Sequence, residues 1–198
     1  HQQGPLIPAG DKIIISGSHA VVDALLNDRR VGKNYMESVR VRFGNDAAGL
    51  PLFQGISRMF LVLNPPDHNR LRGLVMKAFS GREIKSLREM ALTIANELVD
   101  ELEGRRACDL AQAFAFPLPV RIICRMLDVS ESDAPELGRL TSALVRAFDP
   151  QISPPDLLKA AEAFAVLEIY LSAVIVSRRD STASDLVSLF LRSDSDGD

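Results

Sequence analysis

The sequence predicts a mainly α-helical protein with a small β element. From residue 67 onward, apolar side chains recur at steps of three and four, which is the period of a helix buried on one side. Prolines and glycines divide this part of the chain into separate helical segments. Near the start, residues 12–16 instead form a short β-branched run between glycines, which suits a strand.

The composition is that of a soluble globular domain. The 198 residues are 46% hydrophobic and 25% charged, and the net charge of −3 gives no basic field that would recruit nucleic acid. No uninterrupted apolar run approaches the roughly 20 residues that cross a bilayer, and the first residues lack the layout of a signal peptide. Two cysteines are too few for a disulfide framework. We therefore expect a cytoplasmic protein that binds neither nucleic acid nor a membrane.

The predicted elements follow one another along the chain. After the strand, Ser18 can cap a helix that carries Val21 and Leu25. Between about residues 27 and 64, repeated glycines and a proline break any period. A loop that long in a compact domain is either functional or a sign that this assignment misses elements, and both alternatives stay open. Helices are then expected at about residues 67–79, 84–102, 117–127, 131–148, 154–179 and 184–192. Gly104 ends the second of these, and capping serines, Ser130 and Ser153, begin the fourth and fifth.

The helix at residues 67–79 carries the candidate binding residues. His68 and Arg72 lie four residues apart at the edge of its apolar arc, whereas Arg70 and Lys77 lie on the opposite side. A guanidinium directed inward is costly without a counter-charge, and a helix start attracts negative charge. The pattern predicts a receptor for a carboxylate or phosphate. The simpler alternative is that Arg72 pairs with a local acid and His68 is an ordinary surface residue.

The same segment carries a resemblance to a known family. Residues 63–79, LNPPDHNRLRGLVMKAF, resemble the C-helix region of bacterial cytochromes P450, which has an acid, two prolines, an acid, His, any residue and Arg-Leu-Arg before a later Ala-Phe. Asn64 departs from this pattern, because the family more often has Asp there. Three further segments are similar to that family in the expected order: residues 13–27, 109–124 and 185–198. The resemblance implies one partial domain over residues 1–198, the N-terminal portion of the P450 fold.

The resemblance also implies roles for individual residues. His68 and Arg72 would contact a propionate of haem b, and Arg70 and Lys77 would lie on the face where an electron donor docks. Residues 43–63 would be the B–C loop and residues 131–179 the F/G lid over the substrate. The implied pocket residues are Met59, Phe60, Leu61, Val62, Leu144, Val145 and Phe148. For these side chains, ordinary packing or a solvated helix face is the alternative.

The implied activity is that of a haem–thiolate monooxygenase. Such an enzyme inserts one oxygen atom from O2 into an apolar small molecule, with electrons from a ferredoxin or flavodoxin. The axial cysteine would lie beyond Asp198, so we expect no catalytic residue and no metal ligand here, and an inactive isolated chain. The alternative is a haem-less P450-like helper or binding protein, and a third possibility is a plain helical interaction domain.

The cysteines of the chain do not match the thiolate loop of the family. Residues 104–108 copy part of that loop, but its upstream Phe and its following Gly are replaced by Glu101 and Leu110. We therefore expect Cys108 to be an ordinary cysteine at a turn and Cys124 an ordinary buried one.

Overall fold

The structure is a computed structural model that describes residues 5–8, 14–79, 81–149, 151–183 and 185–195. Helices dominate the described residues, and two short strands form the small β element, so the predicted fold class is confirmed. The chain divides into two compact units, residues 1–68 and 69–198. Each unit has its own buried residues and is described by itself.

The first unit begins with a two-stranded antiparallel ribbon. Strand β1 (Ile7–Pro8) pairs with β2 (Ile14–Ile15), with Ile7 opposite Ile15 and Pro8 opposite Ile14. Within the predicted strand at residues 12–16, Ile14 and Ile15 form β2, whereas Lys12 and Ile13 lie outside the described residues. The ribbon is exposed on both strands.

Three helices follow in the first unit: α1 (His19–Asn27), α2 (Tyr35–Phe43) and α3 (Pro51–Ser57). Short 3-10 turns at Asp46–Gly49 and Phe60–Val62 lie before and after α3. Helix α1 confirms the helix predicted after Ser18. Of the two alternatives for residues 27–64, the structure supports missed elements, because α2 and α3 lie there. Both helices are too short to show an apolar period, and they are defined by local signals and by tertiary packing.

Those signals can be read from the structure. The side chain of Asn34 accepts a hydrogen bond from the Glu37 amide at the start of α2, and Pro51 occupies the tolerated first turn of α3. The helices then bury a few side chains completely: Val39, Leu52, Phe53 and Ile56. Burial of these apolar side chains stabilises a segment whose glycines would otherwise favour a loop.

The second unit contains the long helices, and α4 begins at the end of the first unit. Their bounds are α4 (Asp67–Ala78), α5 (Gly81–Asp100), α6 (Pro117–Met126), α7 (Ala134–Val145), α8 (Pro154–Arg178) and α9 (Leu186–Ser195). A π-helical turn at Ala111–Ala115 precedes α6, and 3-10 turns at Glu131–Asp133 and Arg146–Phe148 flank α7. The turns after α5 end at Gly104, whose φ of +79° favours glycine.

The predicted caps have different outcomes. Ser153 caps α8, because its hydroxyl accepts from the Asp156 amide at 3.2 Å. Ser18 occupies the cap position of α1 without a side-chain cap hydrogen bond. At Ser130 the hydroxyl accepts from the Ser132 amide at 3.3 Å, whereas the Asp133 amide donates to the Ser130 carbonyl. The Asp133 carboxylate instead accepts from a hydroxyl on α8, so the predicted capping box does not form.

The core of the second unit forms where α5, α6, α7 and α8 meet. Alanines on α8 allow α7 to approach closely. The buried side chains of this core are Ile94, Leu98, Cys124, Leu140, Leu144, Ala147, Ala160, Ala163 and Phe164. Above it, Arg125 on α6 forms ion pairs with Glu97 on α5 and with Glu131. These ion pairs link α6 to α5 and to the turn at Glu131–Asp133, at the edge of the core.

Helix α8 is rich in apolar residues, although charged residues interrupt them. Among the described residues, it is the one helix whose length and composition would suffice to cross a membrane. Much of its outer side is apolar and exposed, including Leu158 (68%), Ile169 (73%) and Val176 (67%). Length and composition alone do not distinguish a membrane-spanning helix from a helix whose apolar side is covered by protein.

Candidate functional site

The start of α4 forms the candidate anion site. The His68 amide donates to the Asn64 carbonyl at 3.0 Å, so the helical hydrogen-bond pattern already begins before Asp67. His68 therefore lies in the first turn, at the positive end of the helix dipole. Pro65 and Pro66 carry no N–H in this turn and Asp67 is acidic, so the side chains of His68 and Arg72, more than backbone amides, would attract an anion here.

His68 is held by an aromatic neighbour. Its imidazole stacks on the Phe60 ring, with the centroids 4.7 Å apart and the planes 9° from parallel. The side chain of His68 is half-buried, and Phe60 belongs to the 3-10 turn that precedes α4. The stack fixes the plane of the imidazole while its ring edge carries the polar nitrogens.

Arg72 lies one helical turn after His68 and is exposed. Its guanidinium has no hydrogen bond or ion pair with any residue that the structure describes. This differs from the expected inward direction. The reason is that a long side chain at the edge of an apolar arc can carry its charge into water, and no carboxylate in the described chain draws it inward. The neighbouring arc residues Leu71, Leu74 and Val75 are half-buried, as the pattern predicted.

The residues of the predicted docking face are placed as follows. Arg70 is exposed on α4. The side chain of Lys77 lies outside the described residues. The role of this face therefore remains a prediction.

The predicted pocket residues divide into two groups, one in each unit. In the first, Met59 and Val62 are half-buried, whereas Phe60 and Leu61 are 36% and 64% exposed. In the second, Leu144 is buried in the core, Val145 is 57% exposed and Phe148 is half-buried. The burial of Leu144 fits the alternative of ordinary helix packing.

Among the described residues of the second unit lie two sizeable cavities. The larger, of about 750 Å³, lies between α6 and α7, and the smaller has a volume of about 420 Å³. The larger is lined by both apolar and charged side chains, among them Phe116, Val120, Arg121 and Arg139. Among the described residues that line the two cavities, none belongs to the predicted substrate pocket.

The cysteines lie in contrasting surroundings. Cys108 is exposed and Cys124 is buried, as expected for each. Burial raises the pKa of the Cys124 thiol, which keeps it protonated and unreactive at neutral pH. Within the described part of the chain, no group of three or more His, Cys, Asp and Glu side chains could hold a metal ion.

Sequence reasoning missed a contact made by Asn64. Its Nδ2 donates to the Lys33 carbonyl at 2.6 Å, and its Oδ1 accepts from the Lys33 amide at 2.9 Å. The signal in the sequence was the departure from the family's usual Asp at this position. The partner could not be read from the sequence, because it lies 31 residues away in a segment predicted to be irregular.

Comparison with known proteins assigns the chain to a family, although no protein-family model matches it. It is 48% identical over 197 residues to a Xylella fastidiosa protein named cytochrome P450 133B2, covering 99% of this chain and 49% of that protein. It is 38% identical over 134 residues to the mycinamicin IV hydroxylase/epoxidase of Micromonospora griseorubida, covering 67% and 32%. The crystal structure of CalO2 superposes with a TM-score of 0.82 at 25% identity, covering 98% of this chain and 48% of that one.

By sequence and by fold, the chain belongs to the cytochrome P450 family. It corresponds to the N-terminal half of a bacterial member of that family. The chain spans about half the length of the curated relatives that it matches over nearly its whole extent.

Proposed function

We propose that the chain is the haem-binding N-terminal half of a cytochrome P450 monooxygenase, in which His68 and Arg72 contact a haem propionate. The observation that carries the proposal is the exposed Arg72, without a partner among the described residues, one helical turn after His68 in the first turn of α4. A guanidinium, an imidazole nitrogen and a helix start all favour a carboxylate. The residues present therefore fit the acidic side chains of a haem.

These two residues bind and orient the cofactor and do not take part in the oxidation. When bound, haem supplies the activation of O2 and the transfer of one oxygen atom to the substrate. Arg72 would donate hydrogen bonds to a propionate oxygen, and His68 would present a ring nitrogen to it in the plane that the stack with Phe60 fixes. Together they would hold the cofactor against rotation.

The substrate we propose is an apolar small molecule. Support comes from the apolar side chains at residues 59–62 and from Val145 and Phe148, and from the relative that is named a hydroxylase/epoxidase. A ferredoxin or flavodoxin would supply electrons at the face of Arg70 and Lys77. We propose a cytoplasmic enzyme that binds neither nucleic acid nor a membrane.

The test measures how fast haem leaves the complete gene product, that is, these 198 residues with any that the gene encodes beyond them. Transfer of haem to apomyoglobin gives the rate. Because a charge-assisted hydrogen bond contributes about 1.5–3 kcal/mol, we expect Arg72→Ala to accelerate haem loss about tenfold or more, and His68→Ala to accelerate it by a smaller factor. Arg88→Ala, which removes another exposed arginine with no described partner, should leave the rate unchanged.

Haem loss that is unaffected in both site variants would contradict the proposed propionate contacts. A complete gene product that takes up no haem would instead favour a haem-less helper protein. For residues 1–198 alone, we expect no thiolate-type Soret band after reduction and treatment with carbon monoxide. Observation of that band would overturn the expectation that the axial ligand lies elsewhere.

A further inference from the structure

The side chain of Asn64 joins two segments of the first unit that are far apart in sequence. Its amide forms two hydrogen bonds with the backbone of one residue, donating to the Lys33 carbonyl and accepting from the Lys33 amide. This is the pattern by which two residues of antiparallel strands exchange hydrogen bonds. The side-chain amide of Asn64 therefore pairs with the Lys33 backbone as one residue of a neighbouring strand would. We call this pair of hydrogen bonds the Asn64–Lys33 clamp.

The clamp requires a hydrogen-bond donor at position 64, which the aspartate usual in the family does not supply when it is ionised. An asparagine side chain offers one donor and one acceptor group, whereas an ionised aspartate only accepts. Aspartate at position 64 could still accept from the Lys33 amide, but its second oxygen would face the Lys33 carbonyl oxygen. Two acceptors 2.6 Å apart, the present distance between Nδ2 and that carbonyl, would repel each other.

The surroundings of the clamp leave room for the amide and extend its effect. A Cβ atom on Gly32 would lie 3.3 Å from Oδ1 of Asn64, so a larger residue at position 32 would press on the clamp. On the other side, Asn34 caps α2 directly after Lys33. The clamp thus connects the start of α2 to the residues that precede α4.

The main chain of Asn64 continues this connection into the candidate site. Its carbonyl accepts from the His68 amide at 3.0 Å, so the residue that carries the clamp also begins the helical hydrogen bonds of α4. The imidazole of His68 in turn stacks on Phe60 within the same unit. Two of the contacts that position the His68 ring are therefore these, one to its backbone and one to its side chain.

From this geometry we propose that Asn64 is a positioning residue: through the Asn64–Lys33 clamp it holds the start of α4 so that the His68 imidazole meets the propionate. The inference rests on the proposed function for the role of His68. The clamp itself is independent of that role. Asn64 does not touch the cofactor in this proposal, and its effect passes through His68.

The test compares Asn64→Asp and Asn64→Ala in the complete gene product reconstituted with haem. Asn64→Asp is nearly isosteric, keeps one of the two hydrogen bonds and is the variant expected to fold. Hydrogen–deuterium exchange of the peptide that contains residues 31–35 reports on the clamp. We expect exchange there to accelerate about tenfold in Asn64→Ala and less in Asn64→Asp. The matched control is Asn96→Ala, because Asn96 is an exposed asparagine whose side chain has no hydrogen bond among the described residues.

The decisive measurement is the rate of haem loss with and without His68. We expect Asn64→Ala to accelerate haem loss about fivefold in the parent protein, and less than twofold in a protein that already carries His68→Ala. This non-additivity is the signature of two residues that act through one contact. A merely structural role would give the same factor in both backgrounds and would overturn the inference.

The two possible failures are distinguishable. If His68→Ala and Arg72→Ala leave haem loss unchanged, the proposed propionate site is wrong, and with it the role assigned to Asn64. If those variants accelerate haem loss but both Asn64 variants behave as the parent protein, the propionate site stands and the positioning role is wrong. Unchanged exchange at residues 31–35 in Asn64→Ala would also overturn it, because the clamp would then contribute nothing.

Discussion

The hydroxyl of Tyr170 on α8 donates to Oδ2 of Asp133 at 2.8 Å and so joins the longest helix to the turn before α7. Burial, together with this hydrogen bond and the nearby carboxylate charge, raises the pKa of Tyr170 to about 12. Burial also raises the pKa of Tyr35 to about 12, against the opposing charge of Arg42. Both neutral phenols are therefore favoured by the folded state.

The first prediction concerns the ionisation of these tyrosines. The sequence has two tyrosines and no tryptophan, so absorbance near 295 nm reports on them alone in the haem-free chain. We expect both to ionise near pH 12 in the folded chain and near pH 10 in guanidinium. Since the folded pKa is the higher one, their contribution to stability is complete below about pH 10 and is lost as the pH rises toward 12. Tyr170→Phe should halve the change in absorbance on ionisation. An absorbance change centred near pH 10 in the native chain would contradict the described burial of the tyrosines.

Asp185 gives a pH dependence of the opposite sign. Its side chain is 4% exposed, and its carboxylate accepts from the Ser188 amide at 3.0 Å and the Ser188 hydroxyl at 2.5 Å. Burial opposes the charge, but the hydrogen bonds from Ser188 prevail and lower the pKa of Asp185. The resulting stability is present above the ordinary carboxyl pKa and is lost as the pH falls through the lower folded value.

We therefore expect Asp185→Asn to lower the unfolding free energy by about 1–2 kcal/mol at pH 7. The difference from the parent chain should shrink as the pH is lowered from about 4. Urea denaturation at pH 7 and at pH 3 measures both quantities. The control is Asp180→Asn, an exposed aspartate beside the same loop. A difference that is the same at both pH values would show that ionisation of Asp185 contributes nothing.

The stack of His68 on Phe60 can be tested apart from Asn64. Phe60→Leu keeps an apolar side chain but removes the flat partner, so the imidazole is free to turn. We expect haem loss from the complete gene product to accelerate two- to fivefold, with a change in unfolding free energy below about 1 kcal/mol because Phe60 is 36% exposed. Leu26→Ala, on another side chain of the first unit that is 82% exposed, should do neither.

The core of the first unit gives a prediction about stability alone. Phe53 has no exposed surface, and its ring stacks on Phe43 with the centroids 5.2 Å apart. Phe53→Ala should lower the unfolding free energy by about 3–5 kcal/mol, because it leaves a cavity. Leu50→Ala, one turn earlier and 47% exposed, should cost less than about 1 kcal/mol. Chemical denaturation compares the two, and similar costs would contradict the described packing.

The long helices could be predicted because their apolar periods extend over many turns. Helix α4 begins directly after Pro65-Pro66, α8 begins with Pro154-Pro155, and the turns after α5 end at Gly104. In contrast, α2 and α3 are too short for a period to emerge, and they depend on burial of residues such as Val39 and Phe53. Tertiary contacts that decide such segments are not encoded in local spacing.

The candidate site was predictable to a similar extent. The spacing of His68 and Arg72 predicted that both residues lie on one helix, and both lie on α4. The exposure of Arg72 was not predictable, because it depends on which charges the fold brings near the helix. The partners of Asn64 and His68, which are Lys33 and Phe60 respectively, could not be predicted either. Both partners lie in the segment whose sequence shows no clear period.

The contrast between Cys108 and Cys124 has a practical consequence. A mild alkylating reagent should modify one thiol per native chain and two after denaturation, since one cysteine is exposed and the other is sealed in the core of the second unit. The number of alkylated thiols, counted by mass spectrometry, therefore reports whether a chain is folded. The same count can be made on every variant before its other properties are interpreted.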